Sequence, residues 1–597
     1  MMKNIILTLS RYKYLFKYTP KIQLFHRLMN PIKRPLTQKM SKYFSFKGVP
    51  AKTFSLTLKR KAIFDTEAII NGSFRFLNQE HMFQDEVDFK LRSKSLLWTF
   101  HLNYFDYLFD LESAYTQTKE KKYIDCANNL ISSWIAQSHH YDSVMWSPYT
   151  VSLRLINWME YVSKTEAFQS ESMLLKVYQS IYSQYKYLQL NLENDVKGNH
   201  LIENLLTLVY ADLYFSNHNQ LSKDIRKLSH ELSKQVYEDG MHEEKSFSYH
   251  ILLTSKLHSL CQTLLESDII NEDFIHLVTL VNTMIDFISK NPLTLKNYPM
   301  FNDSNVSLTE TINELPKKNV ISQDHSTGYT HSNDEKSDYY KTKFKSYHLW
   351  MDLGKNGPDS LMAHAHNDSL SFVLMDDETP IFDDTGVFTY ETGKWRQYAR
   401  SVRAHNTMMI NGFEPSDNWK SFIVGRRSIH LKPTLYENND FLEWMGSYSF
   451  KINRKKYTHA RKFKKHSDHL LIMDQVIGRG PLSVMAYFHL YPGLKYEMVN
   501  HQTFQITTTS KTLYFKVLND YANKKILNGS LEPIQGWKFE GFGQKKSRDT
   551  LEMNFEGIDT LNISWLITED WSIIQAIDHL TDISKVKADP SERRLER

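Results

Sequence analysis

From about residue 66 to about 310, apolar side chains recur every three or four positions, as in Leu174, Leu175, Ile181 and Tyr185 or in Leu201, Leu205, Leu208 and Leu213. A stripe with that period covers one face of an α-helix. The pattern predicts helices near 122–137, 150–164, 172–192, 199–216, 219–237, 250–266 and 273–289. Short polar loops join them, which suits stacked antiparallel helix pairs. Residues 308–343 are polar and broken by Pro316, Gly328 and the run Asp334-Glu335-Lys336, so the helical half ends there. Beyond them the period falls to two. Segments 348–353, 369–375, 470–476, 484–490 and 561–567 read as strands of a large antiparallel β-sandwich. The expected organisation is α+β and multidomain: a basic segment 1–65, a helical domain 66–320 and a sandwich domain 321–597. A ligand pocket is expected where the two layers meet.

Composition adds limits to this picture. The chain has 597 residues, more than one hydrophobic core usually organises. Hydrophobic residues at 41% and aromatics at 13% exclude a mostly disordered chain. The net charge of +5 is unevenly spread, because 15 Lys and Arg precede the first acid, Asp65. The remainder of the chain is therefore acidic. Such a basic front segment suits peripheral contact with an anionic membrane or a polyanion, or packing of an amphipathic segment on the main body. Only Cys126 and Cys261 are present, both in helical stretches, so no disulfide framework is implied. The short apolar run Ile5, Ile6, Leu7 and Leu9 is followed at once by Arg11 and Lys13, a poor match to a signal peptide. No uncharged apolar stretch is long enough to span a bilayer.

Four clusters carry candidate chemistry. Gly198-Asn199-His200-Leu201-Ile202-Glu203-Asn204 opens a helix with His200 and Glu203 on one face; Asn199 is equally suited to capping that helix. Asp239-Gly240-Met241-His242-Glu243-Glu244 leads into Ser248-Tyr249-His250, with Tyr249 at a helix start. Ionising a tyrosine at neutral pH costs about 4 kcal/mol unless neighbouring cations or donors help. His364-Ala365-His366-Asn367-Asp368 precedes a strand, and alternation on an extended segment sends its two imidazoles to opposite sides. His366, Asp384 and His405 together have the donor set of a three-ligand zinc site. Arg396, Arg400, Arg403, Arg426 and Arg427 bracket His405, and guanidinium groups suit carboxylate or sulfate.

In their order and spacing over about 90–410, these blocks resemble the heparinase II/III family of polysaccharide lyases, and also oligoalginate lyases of the same layout. Further matching blocks are Asn103-Tyr104-Phe105-Asp106-Tyr107, Trp146-Ser147-Pro148-Tyr149 with Arg154, Asp384-Thr385-Gly386 and Ala404-His405-Asn406-Thr407. The resemblance implies an incomplete (α/α) toroid followed by an antiparallel β-sandwich, and a lyase that cleaves an acidic, uronate-containing polysaccharide by β-elimination. It gives Asn199 and His200 the task of neutralising the uronate carboxylate, and makes Tyr249 general base, general acid or both. It makes His364 a second active-site histidine and His366, Asp384 and His405 ligands of one structural divalent metal, zinc by preference. Glu203, Arg154, Arg400, Arg403 and Tyr390 become substrate contacts. An acidic polysaccharide is the implied partner, and nucleic acid is not. A cell-envelope or periplasmic location is implied too, with the cytoplasm as the alternative. A uronate C5 epimerase and a non-catalytic glycan-binding component of polysaccharide export are the competing readings.

Overall fold

The computed structural model describes residues 11–46, 50, 60–291, 293–295, 298–316, 319–320, 335–360, 362–376, 379–508 and 511–588. The apolar run at 5–9, residues 51–59 of the basic segment, and residues 321–334 between the two halves, with Gly328 and Asp334, lie outside them.

The helical half is an incomplete (α/α) toroid. Its helices include Lys122–Gln137, Pro148–Thr165, Glu171–Leu190, Gly198–Tyr214, His218–Gln235, Phe247–Glu266 and Glu272–Lys290. Local chemistry sets their starts. Ser170, Ser246 and Asn271 each accept the backbone N–H three residues on, and Pro148 occupies the first turn of its helix, where no N–H partner is needed. The apolar faces close one core around Trp98, Trp134, Trp158, Leu206 and Leu257.

The second half holds a four-stranded antiparallel sheet, Tyr339–Phe344, Tyr347–Asp352, Phe372–Met375 and Pro380–Phe382, facing a ten-stranded one. The larger sheet is built on His469–His489 and Asp549–Thr568, which pair along most of their length. The segments 470–476 and 484–490, expected as separate strands, are one continuous strand. The reason is a register shift between Ile477 and Pro481, where Gly478 and Gly480 let the chain bend without leaving the sheet. Phe372, Phe382, Phe488, Phe515 and Trp565 fill the space between the sheets.

A third apolar cluster joins the halves: Tyr237, Met241, Phe247 and Phe301 from one side meet Tyr339 and Trp350 from the other. Lys245 Nζ, itself buried, reaches Asp352 of the sheet at 3.2 Å. The loop carrying Lys245 lies flat on the helix Glu272–Lys290 because Gly240, at φ +94°, has no Cβ to strike the Thr283 carbonyl. That close approach fixes where the following residues, Glu244 and Tyr249, emerge.

Candidate active site

A cleft of about 1390 Å³ opens along the junction of the halves. It exceeds the roughly 300–1,000 Å³ of small-molecule pockets. Asn199, His200, Tyr249, His364 and Tyr390 all line it.

Asn199, His200 and Tyr249 come from the helical side. Asn199 does not cap its helix. Its backbone N–H and its side-chain amide donate to the two oxygens of Glu244, at 2.9 and 2.6 Å, so one amide N–H stays available to a ligand. His200 lies against the Tyr149 ring, 4.3 Å between centroids, with Nδ1 3.3 Å from Glu193. Burial draws its pKa down, but Glu193, with Glu244 and Glu203 behind it, outweighs burial and leaves it raised. Tyr249 directs its hydroxyl to the Tyr390 hydroxyl at 3.1 Å. Burial above all, then the charges of Asp303 and Glu244, raise the Tyr249 pKa against the help of Tyr390 and Arg396. The resting side chain is therefore a phenol.

His364 comes from the sandwich side, its ring 4.5 Å from that of Tyr249. Its Nδ1 meets Asp303 Oδ2 at 2.8 Å. Asp303 is buried and also takes Arg396, the shared proximity of whose guanidinium holds both oxygens, and His366 Nε2 at 2.8 Å. Burial alone would push Asp303 up, yet Arg396 and the two imidazoles hold it well below the usual carboxylate range. An ionised carboxylate only accepts, so Nδ1 of His364 carries a proton, while Nε2 faces the cleft with Glu244 Oε2 at 3.8 Å. His364 thus faces the cleft and His366 the interior, but both rings reach one carboxylate rather than opposite sides. Residues 362–370 are irregular, with turns at 363–364 and 369–370, so the alternation of an extended strand does not apply.

His366 Nδ1 and His405 Nε2 are buried and have no hydrogen-bond partner among the described residues. One ring nitrogen of each of these histidines and a carboxylate oxygen of Asp368 lie within 4.8 Å of one another. Asp384, expected as the third ligand, places its Oδ2 2.7 Å from the other nitrogen of His405, which leaves Nε2 turned inward. Two orphaned imidazole nitrogens facing a carboxylate fit a divalent ion of zinc type.

Four of the expected substrate contacts lie away from the cleft. Arg154 is fully buried, spends its donors on Gln184 and the carbonyls of Asn103 and Met145, and lies 3.9 Å over Trp134. Arg400 is buried against the carbonyls of Ala365 and Ser421. Arg403 faces Glu552 at 3.6 Å, and Glu203 lies behind the wall, paired with Lys256 at 2.8 Å. None of the four lines the cleft, whereas Arg60, Lys61, Arg75 and Lys256 do. Asp303, Glu244 and Glu193 are the residues that the sequence patterns missed as parts of the site, and Arg396, expected in a basic group suited to carboxylate or sulfate, holds the buried Asp303 instead. Glu244 stood inside a motif already singled out, and only its proximity to Tyr249 could have drawn attention to it.

Two family models match the chain: Heparinase II/III N-terminus over residues 39–329 and Heparinase II/III-like, C-terminal over residues 328–566. A heparin-sulfate lyase of Bacteroides thetaiotaomicron is 21% identical over 526 residues, covering 80% of this chain and 72% of that protein. Among solved structures, a heparinase III is similar with a TM-score of 0.65 at 15% identity, covering 89% of both chains. A heparan sulfate lyase HepC mutant from Pedobacter heparinus gives a TM-score of 0.55 at 17% identity, covering 90% of this chain and 87% of that one. These two likenesses are of fold. With its helical half and its sandwich half each matched by a model of the same family, the chain belongs to the heparinase II/III family.

Proposed function

We propose that the protein is a polysaccharide lyase that cleaves an acidic, uronate-containing glycan by β-elimination, with Tyr249 and His364 as its acid–base pair. The observation that carries this reading is the convergence of Asn199, His200, Tyr249 and His364 on one cleft from two halves of the chain. The heparin-sulfate lyase named among its relatives supports a polyanionic substrate.

The proton at C5 of a uronate is hard to remove beside an anionic carboxylate, because the product would be an enolate dianion. The remaining amide N–H of Asn199 and a protonated His200 offset that charge as it develops. In its neutral form His364, with Nδ1 held by Asp303, accepts the C5 proton at Nε2. The electron pair left at C5 forms the C4–C5 double bond as the C4–O bond breaks, and the Tyr249 phenol gives its proton to the departing glycosidic oxygen. The product carries an unsaturated uronate at its new non-reducing end. Tyr390 holds the Tyr249 hydroxyl in place between turnovers.

A divalent ion, zinc by its donor set, would be held by His366, Asp368 and His405. Bound, it would add a fixed positive charge that ties together the loops around Asp303 and Asp384. Proton transfer remains with His364 and Tyr249.

The test is incubation with glycosaminoglycans and other uronate polymers, following ultraviolet absorbance of unsaturated uronates. Wild type is expected to generate that signal on at least one of them, and Tyr249→Phe to lose it. Solvent deuterium entering C5 without chain cleavage would replace this reading with an epimerase.

A further inference from the structure

The helix Lys21–Ser41 is packed inside out. Its inward residues are polar: Gln23, Asn30, Thr37, Gln38 and Ser41 are buried. Gln38 donates to the Ser138 carbonyl at 3.0 Å, Ser41 meets Ser183 at 3.1 Å, and Asn191 donates to Thr37 at 2.7 Å. Arg27 and Arg34 both reach Asp195. Ahead of the helix, Arg11 forms a two-bond pair with Asp417 of the sandwich half, each bond 2.8 Å. The segment is therefore fastened to both halves by polar contacts.

Its outward residues are apolar. Ile22, Phe25, Leu28, Ile32, Leu36 and Met40 are all exposed, Leu28 to 76%. Spacings of three and four set them in one stripe along five turns. A helix that only covers the body of a protein in water turns such a stripe inward; a contiguous exposed one marks a surface that something else covers.

Charge identifies what covers it. Lys21 and Lys39 are exposed on the same helix, and no acid precedes Asp65 in the sequence. Cations flanking an apolar face are the signature of a helix lying in the interface of an anionic bilayer, its apolar side chains among the acyl chains and its amines at the headgroups. A soluble polyanion would use the amines and leave the stripe uncovered. Among the described residues no helix is long and apolar enough to cross a membrane, which leaves the geometry of lying on one.

We propose that the outward face of Lys21–Ser41 is a docking surface for an anionic lipid bilayer. Arg27, from the same helix, lines the cleft, so docking holds the cleft beside the membrane surface and presents to it polymers that are attached to or emerging from that membrane. This does not depend on the reaction the cleft performs.

The test is co-sedimentation of the full chain with vesicles of phosphatidylcholine alone or mixed with an equal part of phosphatidylglycerol. Binding is expected to be at least about tenfold tighter to the anionic vesicles and to weaken in high salt. The double variant Leu28→Glu/Ile32→Glu, on exposed positions, should weaken it at least about tenfold at unchanged thermal unfolding. Leu28→Ala/Ile32→Ala, milder in case the first misfolds, should weaken it by a smaller factor. Lys21→Glu/Lys39→Glu should weaken only the anionic component. Three results would overturn the proposal: no binding to anionic vesicles, binding untouched by the stripe variants, or self-association in solution abolished by Leu28→Glu/Ile32→Glu, which would assign the face to a second copy of the chain.

Discussion

The two walls of the cleft hold their histidines differently. On the helical wall, His200 has one carboxylate partner at 3.3 Å, an aromatic neighbour and a third of its side chain open to the cleft. On the sandwich wall, His364 is one member of a buried lattice in which a single carboxylate, Asp303, is shared with His366 and Arg396. A loosely held, electrostatically raised imidazole suits charge neutralisation, which tolerates small shifts in ligand position. An imidazole that must receive a proton from a defined carbon needs a fixed tautomer and direction, since misplacement by about an ångström costs on the order of a hundredfold. Of the two imidazoles, the one on the helical wall is held to bind and the one on the sandwich wall to react.

Asp303 is where that contrast breaks most visibly. Asp303→Asn should remove the charge that fixes the tautomers of His364 and His366 and leave the buried Arg396 guanidinium without its counterion. We expect a loss of about 3–5 kcal/mol in urea unfolding and a fall in kcat of about a thousandfold or more, since geometry and charge fail together. A kcat within severalfold of wild type would mean that the sandwich wall is not pre-organised by this residue. Tyr249→Phe separates the two effects. Among the described residues its hydroxyl meets only Tyr390, so stability should change by about 1 kcal/mol or less while kcat falls by about a hundred- to ten-thousandfold.

Much of this frame was legible in the sequence because it depends on periodicity. The helix expected at 122–137 is Lys122–Gln137, and that at 250–266 lies within Phe247–Glu266. The blocks with Asn199, Tyr249 and His364 were legible as motifs. Asp303 was not: it sits in an irregular stretch, Phe301-Asn302-Asp303-Ser304-Asn305, and its partners lie 61, 63 and 93 residues away. Nothing local distinguishes it from any loop aspartate. Spacing likewise could not tell Asp368 from Asp384, since both flank the same histidines and only the fold decides which carboxylate meets which ring nitrogen. Arg154 carried a signal that was available. Its neighbours Val151, Leu155, Ile156 and Trp158 leave the helix apolar on nearly every side, and such a helix is interior.

Arg154 also sharpens the comparison from the helical side, where an arginine supports the wall without touching the ligand. Arg154→Ala should cost about 2–4 kcal/mol, through a cavity beside Trp134 and the stranded carbonyls of Asn103 and Met145. KM measured below the unfolding temperature should hardly move. A large rise in KM with unchanged stability would restore it as a substrate contact.

The smallest expected effect lies at the Glu193–His200 pair. His200 is raised above its ordinary value and Glu193 is lowered, each by the other after burial has opposed the charged form. A raised imidazole contributes stability that is fully present below its unfolded pKa, near 6.5, and is lost as pH climbs through the folded value. A lowered carboxylate contributes above its own unfolded value, near 4.3, and loses that contribution as pH falls through the folded one. The pair therefore stabilises most between these ranges, and wild type should lose this part of its stability on going from about pH 6 to pH 9. Glu193→Gln should flatten that slope in a series of melting curves and lower kcat as well as raise KM, because the imidazolium that offsets the developing enolate charge becomes scarcer. A slope that survives the substitution would place the titrating group elsewhere and make the helical wall as rigidly determined as the sandwich one.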